Sequence, residues 1–98
     1  DVNLTAVATK ISLNGGAATD FIGTATLVGG VATVLNTNIA AADRIMITRS
    51  ALNASPALGT LIYTISAGAN FVVNSYTDAG AAAATDVSSF TYVIFRQT

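Results

Sequence analysis

The chain of 98 residues has the size of one small domain, in which a single hydrophobic core is adequate but not generous. Hydrophobic residues make up 52% of it and charged residues only 9%, against about 25% charged in typical soluble domains. A net charge of −1 provides no basic surface for nucleic acid or an anionic membrane, so neither is a predicted partner. So few charges predict that much of the surface is covered by neighbouring chains.

The residue inventory restricts the available chemistry. The sequence contains no Cys, His or Glu, so one chain cannot build a disulfide, a thiolate metal site, or Ser-His, Cys-His or paired-Glu catalysis. No apolar run approaches the ~18 residues of a membrane span, and no signal peptide follows Asp1. We therefore expect no enzyme, no cofactor and no membrane protein.

Two carboxylates stand in the loop Thr77–Ser89, at Asp78 and Asp86. They could form a glycosidase pair, or a calcium site with loop carbonyl groups, although the spacing does not match an EF-hand loop. Only Tyr76 offers an aromatic surface for a sugar nearby. We interpret both acids as residues that cap turns and keep the loop soluble, and we predict no metal site.

The N-terminal segment Val2–Leu13 is rich in β-branched residues and alanine, and neither of its faces is clearly polar. This pattern fits an extended arm that adds to a neighbour's sheet, or a first strand that is covered on both sides. The turn residues Asn14-Gly15-Gly16 end it. We assign residues 1–20 to this arm or first strand and residues 21–98 to a β-sandwich domain.

Next along the chain, Phe21–Val28 and Val31–Leu35 flank Gly29-Gly30, a combination that predicts a tight β-hairpin. Short apolar runs bounded by turn and loop residues predict further strands, which are Arg44–Ser50, Gly59–Ser66, Asn70–Tyr76 and Phe90–Arg96. The middle two of these four are close enough to pair as a hairpin. The last is apolar on both faces, which suits a central strand or one at a subunit interface. About seven strands in all predict an all-β fold, a β-sandwich or jelly-roll-like domain.

The scarce arginines and the aromatic residues of the last strand are candidates for an interface. Arginine suits desolvated pairing with carboxylates of another subunit, and the alternative is a set of solvated strand ends. Aromatic residues that alternate along a strand are more often core or subunit interface than a recognition surface. The predicted interface residues are Arg44, Arg49, Phe90, Tyr92, Phe95 and Arg96.

Three segments in fixed order resemble a small β-module of tailed-bacteriophage virion proteins. They are GTATLVGGVATVLNTNIAAADRIMITRS (Gly23–Ser50), ISAGANFVVNSYTDAG (Ile65–Gly80) and DVSSFTYVIFR (Asp86–Arg96). The resemblance extends from Phe21 to Arg96 and departs from the pattern at Ala51–Gly59. It implies a trimeric β-sandwich that is bound to the particle surface.

The resemblance implies a structural virion protein that works by binding. The first hypothesis is a capsid decoration (cement) protein, a homotrimer on the capsid surface that binds the phage major capsid protein. The alternative is a tail-fibre or receptor-binding module, in which the loops Ala51–Gly59 and Thr77–Ser89 contact host glycan. A third possibility is a fragment of a secreted β-adhesin or a pilin-like subunit.

Overall fold

The computed structural model describes Ala18 and residues 20–96, and all of its regular elements are strands. They are β1 (Ile22–Thr26), β2 (Val31–Leu35), β3 (Arg44–Ala51), β4 (Thr60–Ser66), β5 (Asn70–Tyr76) and β6 (Ser89–Phe95). The all-β prediction is confirmed, and a strand is present at each of the six places predicted between residues 21 and 96. The predicted arm or first strand, Val2–Leu13, lies outside the described residues. Within the described part of the chain no helix is long and apolar enough to cross a membrane.

The strands form two antiparallel sheets of three strands each. The β6 sheet has the order β1-β6-β3, and the β5 sheet has the order β2-β5-β4. The predicted hairpin of β4 and β5 is confirmed, with a register that runs from Thr60 opposite Tyr76 to Ser66 opposite Asn70. The last strand, β6, is central in its sheet, as its two apolar faces indicate.

The predicted hairpin across Gly29-Gly30 is wrong as a strand pairing, although the tight turn itself is present. Val28 and Val31 exchange two backbone hydrogen bonds of 2.8 and 3.2 Å across the turn. Beyond them the strands separate, because β1 pairs with β6 and β2 pairs with β5. An isolated two-stranded hairpin is only marginally stable, whereas two layers can bury the apolar face of each strand. Leu27, 1% exposed, lies in the core where the chain passes between the sheets.

The two sheets share one hydrophobic core, as in a β-sandwich. Phe71 and Val73 of β5 and Phe90, Tyr92 and Ile94 of β6 are all buried in it. The rings of Phe71 and Tyr92 meet edge to face, with centroids 5.0 Å apart at 73°. The two central strands therefore hold the sheets together, and the loops extend from the two ends of this rigid body.

Candidate binding surface

Three connections meet at one end of the sandwich, which we call the loop end: residues 27–30, 52–59 and 77–88. The strand registers bring them together. Thr26 and Ala51 both lie opposite Ser89 in the β6 sheet, and Thr60 lies opposite Tyr76 in the β5 sheet. The two loops that the sequence suggested for glycan contact are thus neighbours in space.

Asp86 lies at the centre of the loop end, and its side chain is fully buried. Its carboxylate accepts hydrogen bonds from several parts of the chain. The donors are Arg49 Nη1 at 3.0 Å from each oxygen, the Ser75 and Ser88 hydroxyls at 2.6 Å each, and the Gly59 N–H at 3.2 Å. One carboxylate therefore joins β3, β5 and both loops.

The guanidinium of Arg49 connects to the loops through more than this ion pair. Its Nη2 donates to the carbonyl of Gly59 at 2.6 Å, and its Nη1 also bonds the hydroxyl of Ser88. Because it crosses from the end of β3 to the start of β4, it fixes both ends of the 52–59 loop. Charge-assisted bonds of this kind are about twice as strong as neutral ones.

The 52–59 loop is also tied directly to the 77–88 loop. Asn53 Nδ2 donates to the Ser89 hydroxyl at 2.7 Å and to the Val87 carbonyl at 3.3 Å. The Ser55 hydroxyl accepts from the Val87 N–H at 2.9 Å and donates to the Leu52 carbonyl at 2.7 Å. The two loops therefore present one continuous, hydrogen-bonded surface.

The opposite end of the sandwich holds a second buried carboxylate, Asp43. Arg96 binds it in a bidentate manner, with Nε and Nη2 each 3.0 Å from one carboxylate oxygen, and the Ala40 N–H donates at 2.9 Å. The guanidinium carbon of Arg96 lies 5.1 Å from the ring centroid of Phe21, and its Nη2 also bonds the Asn38 carbonyl. Each end of the sandwich therefore contains one arginine–aspartate ion pair.

Burial and hydrogen bonding shift the pKa values of these two carboxylates in opposite directions. Burial would raise the pKa of Asp86, but hydrogen bonds from Ser75, Ser88, the Gly59 N–H and Arg49 outweigh it and hold the pKa well below its usual range. The hydrogen bond from Arg96 likewise lowers the pKa of Asp43, and it outweighs burial, which alone would raise that pKa. Both side chains are therefore ionised in the folded protein at neutral pH.

The lowered pKa values predict acid sensitivity. The unfolded chain takes up protons on Asp43 and Asp86 near pH 4, while the folded chain resists protonation, so the stability from both pairs is present above that pH. We expect the free energy of unfolding to fall steadily between about pH 5 and pH 2. Urea denaturation at a series of pH values measures this slope. A flat profile down to the lowest pH would contradict the ion-pair assignment.

The six predicted interface residues occupy very different positions. Arg49 and Arg96 pair with carboxylates of their own chain. Phe90 and Tyr92 belong to the core. Arg44 and Phe95 lie opposite each other on the outer face of the β6 sheet, where Phe95 is 51% exposed. Of the six, only Arg44 and Phe95 have side chains that are largely exposed and available to a neighbouring chain. The interface role of all six residues stays a prediction.

The interpretation of Asp86 as a solubilising loop residue is wrong. Its Oδ1 does accept the Ser88 N–H at 3.2 Å, which is a turn contact, but the carboxylate points inward to Arg49. Ser75 and Ser88, which complete its shell, were not identified from the sequence. The only local signal for them was the spacing Asp86-x-Ser88, since Ser75 becomes a partner through the sheet. Asp78, by contrast, is exposed.

The outer face of the β5 sheet carries no charged residue. Because Phe71, Val73 and Ser75 point inward, the alternate residues of the sheet form this face. It consists of Val31, Thr33, Leu35, Thr60, Ile62, Thr64, Ser66, Asn70, Val72, Asn74 and Tyr76. Leu35 and Ile62 are among the most exposed large apolar side chains of the described residues, at 62% and 50%.

Residues 11–95 match the family model of the K1 capsule-specific polysaccharide lyase, C-terminal domain. The chain therefore belongs to this family. Neither the search of curated proteins nor that of solved structures found a match. Membership supports a phage-related structural domain with a virion-associated location, and it leaves head and tail undistinguished.

Proposed function

We propose that the chain is a non-catalytic module of a phage tail spike and that its loop end contacts host glycan. The family match over residues 11–95 carries this proposal, because it connects the chain with a polysaccharide lyase specific for a capsule. The match favours the alternative of a tail-fibre or receptor-binding module over capsid decoration. The major capsid protein is accordingly not the partner we propose.

The architecture of the loop end supports a binding role. Hydrogen bonds from Asn53 and Ser55 hold the 52–59 loop beside its neighbour, so little ordering entropy is lost when a ligand binds. Within this loop Asn53 and Ala54 have φ values of 51° and 61°, in the left-handed region that costs an alanine about 1–2 kcal/mol. Strained residues on loops fixed by a rigid scaffold are typical of binding sites.

The chemistry of this surface indicates which contacts it can make. The segments of the loop end contain no Lys or Arg, and the guanidinium of Arg49 already bonds Asp86. Exposed Val28, Leu52 and Leu58 supply apolar surface beside the backbone and amide groups of the loops. The proposed contact therefore consists of apolar packing on sugar rings and neutral hydrogen bonds, without a cationic side chain.

The carboxylates of the loop end are unsuited to hydrolysis or elimination. A general acid must hold a proton at the working pH, whereas Asp86 is buried and its pKa lies far below neutrality. Asp78 is exposed, and the neighbouring 52–59 loop contains no carboxylate with which it could form a catalytic pair. We therefore propose that chain cleavage is performed elsewhere in the spike.

Purified K1 capsular polysaccharide tests this function directly. We expect the full chain to bind it without shortening it, as measured by calorimetry and by the size distribution of the polysaccharide. The variant Leu52→Ser/Leu58→Ser is expected to bind about tenfold more weakly, because it removes apolar packing of roughly 1.4 kcal/mol.

Met46→Ser is the control, because Met46 is an exposed large apolar residue like Leu52 and Leu58 but lies on β3, on the outer face of the β6 sheet. It should bind as the unchanged chain does. Absence of binding by the unchanged chain, or equal binding by the loop variant, would contradict the proposal.

We also propose that the module self-associates, as a homotrimer, and that the uncharged outer face of the β5 sheet takes part. A face without charge can pack against neighbouring copies around a three-fold axis without like-charge repulsion or the cost of desolvating ions. Several copies would also present several loop ends to one polysaccharide, which multiplies weak glycan contacts.

The substitution Ile62→Lys places an ammonium group in the middle of this face. We expect it to raise the concentration at which the assembly dissociates about 100-fold, because a buried, unpaired charge is costly. Sedimentation over a dilution series measures the shift, and Thr48→Lys on the other sheet is the control. An unchanged dissociation in Ile62→Lys would assign self-association to another surface.

A further inference from the structure

The 52–59 loop begins with a tight turn that is strained at one residue. The Ser55 N–H donates to the Leu52 carbonyl at 3.0 Å, and the two residues between them, Asn53 and Ala54, have φ values of 51° and 61°. Positive φ at both central positions is the mark of a type I′ turn, in which Asn and Gly are the usual residues. Ala54 stands where glycine would adopt the same conformation without strain.

Hydrogen bonds on both sides of Ala54 hold the turn in this conformation. Before it, Asn53 Nδ2 donates to the Ser89 hydroxyl at 2.7 Å. After it, the Ser55 hydroxyl accepts from the Val87 N–H at 2.9 Å. Because both neighbours of Ala54 are bound to the same segment at the start of β6, the strained conformation is imposed by the rest of the fold.

Ala54 itself contributes little to the fold that holds it. Its side chain is exposed, and neither its N–H nor its C=O is hydrogen-bonded within the part of the chain that the structure describes. The methyl group therefore adds strain to the turn without burying apolar surface in return. Strained residues of this kind cluster at ligand contacts, where the exposed group is used by a molecule outside the fold.

We propose that Ala54 is a specificity-determining residue of the glycan site and that its methyl group packs on the C–H face of a sugar ring. This inference rests on the proposed function, since Ala54 lies in the loop whose exposed Leu52 and Leu58 supply apolar surface. A methyl group neither donates nor accepts a hydrogen bond, so a sugar hydroxyl pressed against it would lose its water without gaining a partner. The contact therefore selects a ring that presents C–H groups at this point over one that presents a hydroxyl.

Substitution of Ala54 by Gly in the full chain tests this role, because it should move stability and binding in opposite directions. We expect the melting temperature to rise by about 3 °C, since relief of strain exceeds the added freedom of glycine in the unfolded chain. Binding of K1 capsular polysaccharide should weaken about fourfold, the effect of losing one buried methyl group. Scanning calorimetry measures the first change and titration calorimetry the second.

Two further variants separate the methyl contact from other causes. Ala54→Ser keeps the Cβ and the strain but adds a hydroxyl, so it should bind more weakly at an unchanged melting temperature. Ala67→Gly is the matched control, because Ala67 is an exposed alanine of the β4–β5 turn, at the end of the sandwich opposite the loop end, and its φ is not positive. It should lower the melting temperature slightly and leave binding unchanged.

Equal affinity of Ala54→Gly and the unchanged chain would overturn this inference and leave the proposed function intact, since Ala54 would then be a turn residue only. Full affinity of Ala54→Ser would also overturn it, because the weaker binding of Ala54→Gly would then come from a more flexible turn. A melting temperature of Ala54→Gly that does not rise would show that the methyl group causes no strain. Failure of the unchanged chain to bind the polysaccharide is the distinct result that overturns the proposed function, and this contact with it.

Discussion

Substitution of Asp86 by Ala is expected to lower the free energy of unfolding by about 3–5 kcal/mol, the usual effect of removing one partner of a buried ion pair. The change leaves the guanidinium of Arg49, whose side chain is only 19% exposed, without its carboxylate. It also removes the acceptor for the Ser75 and Ser88 hydroxyls and the Gly59 N–H. Urea denaturation followed by circular dichroism measures the loss.

Asp78→Ala is the matched control, because it removes the same side chain from an exposed position of the same loop. Its effect should stay within about 0.5 kcal/mol. Arg49→Ala should cost less than Asp86→Ala, since Asp86 would keep both serine hydroxyls and the Gly59 N–H as donors. Equal stability of Asp86→Ala and Asp78→Ala would show that the buried network does not hold the loops together.

Substitution of Gly30 by Ala is expected to destabilise the fold by about 2–5 kcal/mol, through backbone strain and overpacking together. Gly30 has φ of +79°, and a Cβ there would lie 2.5 Å from the carbonyl oxygen of Ala83, which is backbone and cannot turn aside. The contact matters because the Gly30 N–H donates to the Asp86 carbonyl and the Ser75 N–H donates to that of Gly30.

Gly29→Ala separates the two causes. Gly29 shares the left-handed conformation, with φ of +60°, but a Cβ there would have nothing within 4 Å. We expect it to cost about 1–2 kcal/mol, the strain alone. Thermal or urea unfolding of both variants gives the difference, which measures the close packing of the turn against the 77–88 loop. Identical costs would contradict this packing.

The local sequence pattern was sufficient to predict the strands, but it was not sufficient to predict which strand pairs with β1. β5 has the sequence NFVVNSY, in which aromatic and β-branched residues are bounded by turn residues, and a short run of this kind predicts a strand from a few neighbouring residues. Gly29-Gly30 predicts the turn for the same local reason. The partner of β1, however, is β6, more than sixty residues later in the chain, and no local pattern encodes that choice.

The candidate site shows the same division. Both loops were recognisable from their small and turn-forming residues, and their proximity became visible only when the strand registers were known. Asp86 and Asp78 are alike in sequence, since each is an aspartate in one loop of small residues. The fold buries the first between Arg49 and two serines and exposes the second.

The sequence by itself determined that this protein is all-β, where its strands lie between residues 21 and 96, and that His, Cys and Glu chemistry is absent from the chain. These properties depend on composition and on side chains that alternate over a few residues. Only the tertiary structure decided that β1 and β2 enter different sheets and that Arg49 and Arg96 pair with Asp86 and Asp43 of their own chain. Pairing and burial depend on contacts between residues far apart in sequence, and these form only when the two layers close on a common core.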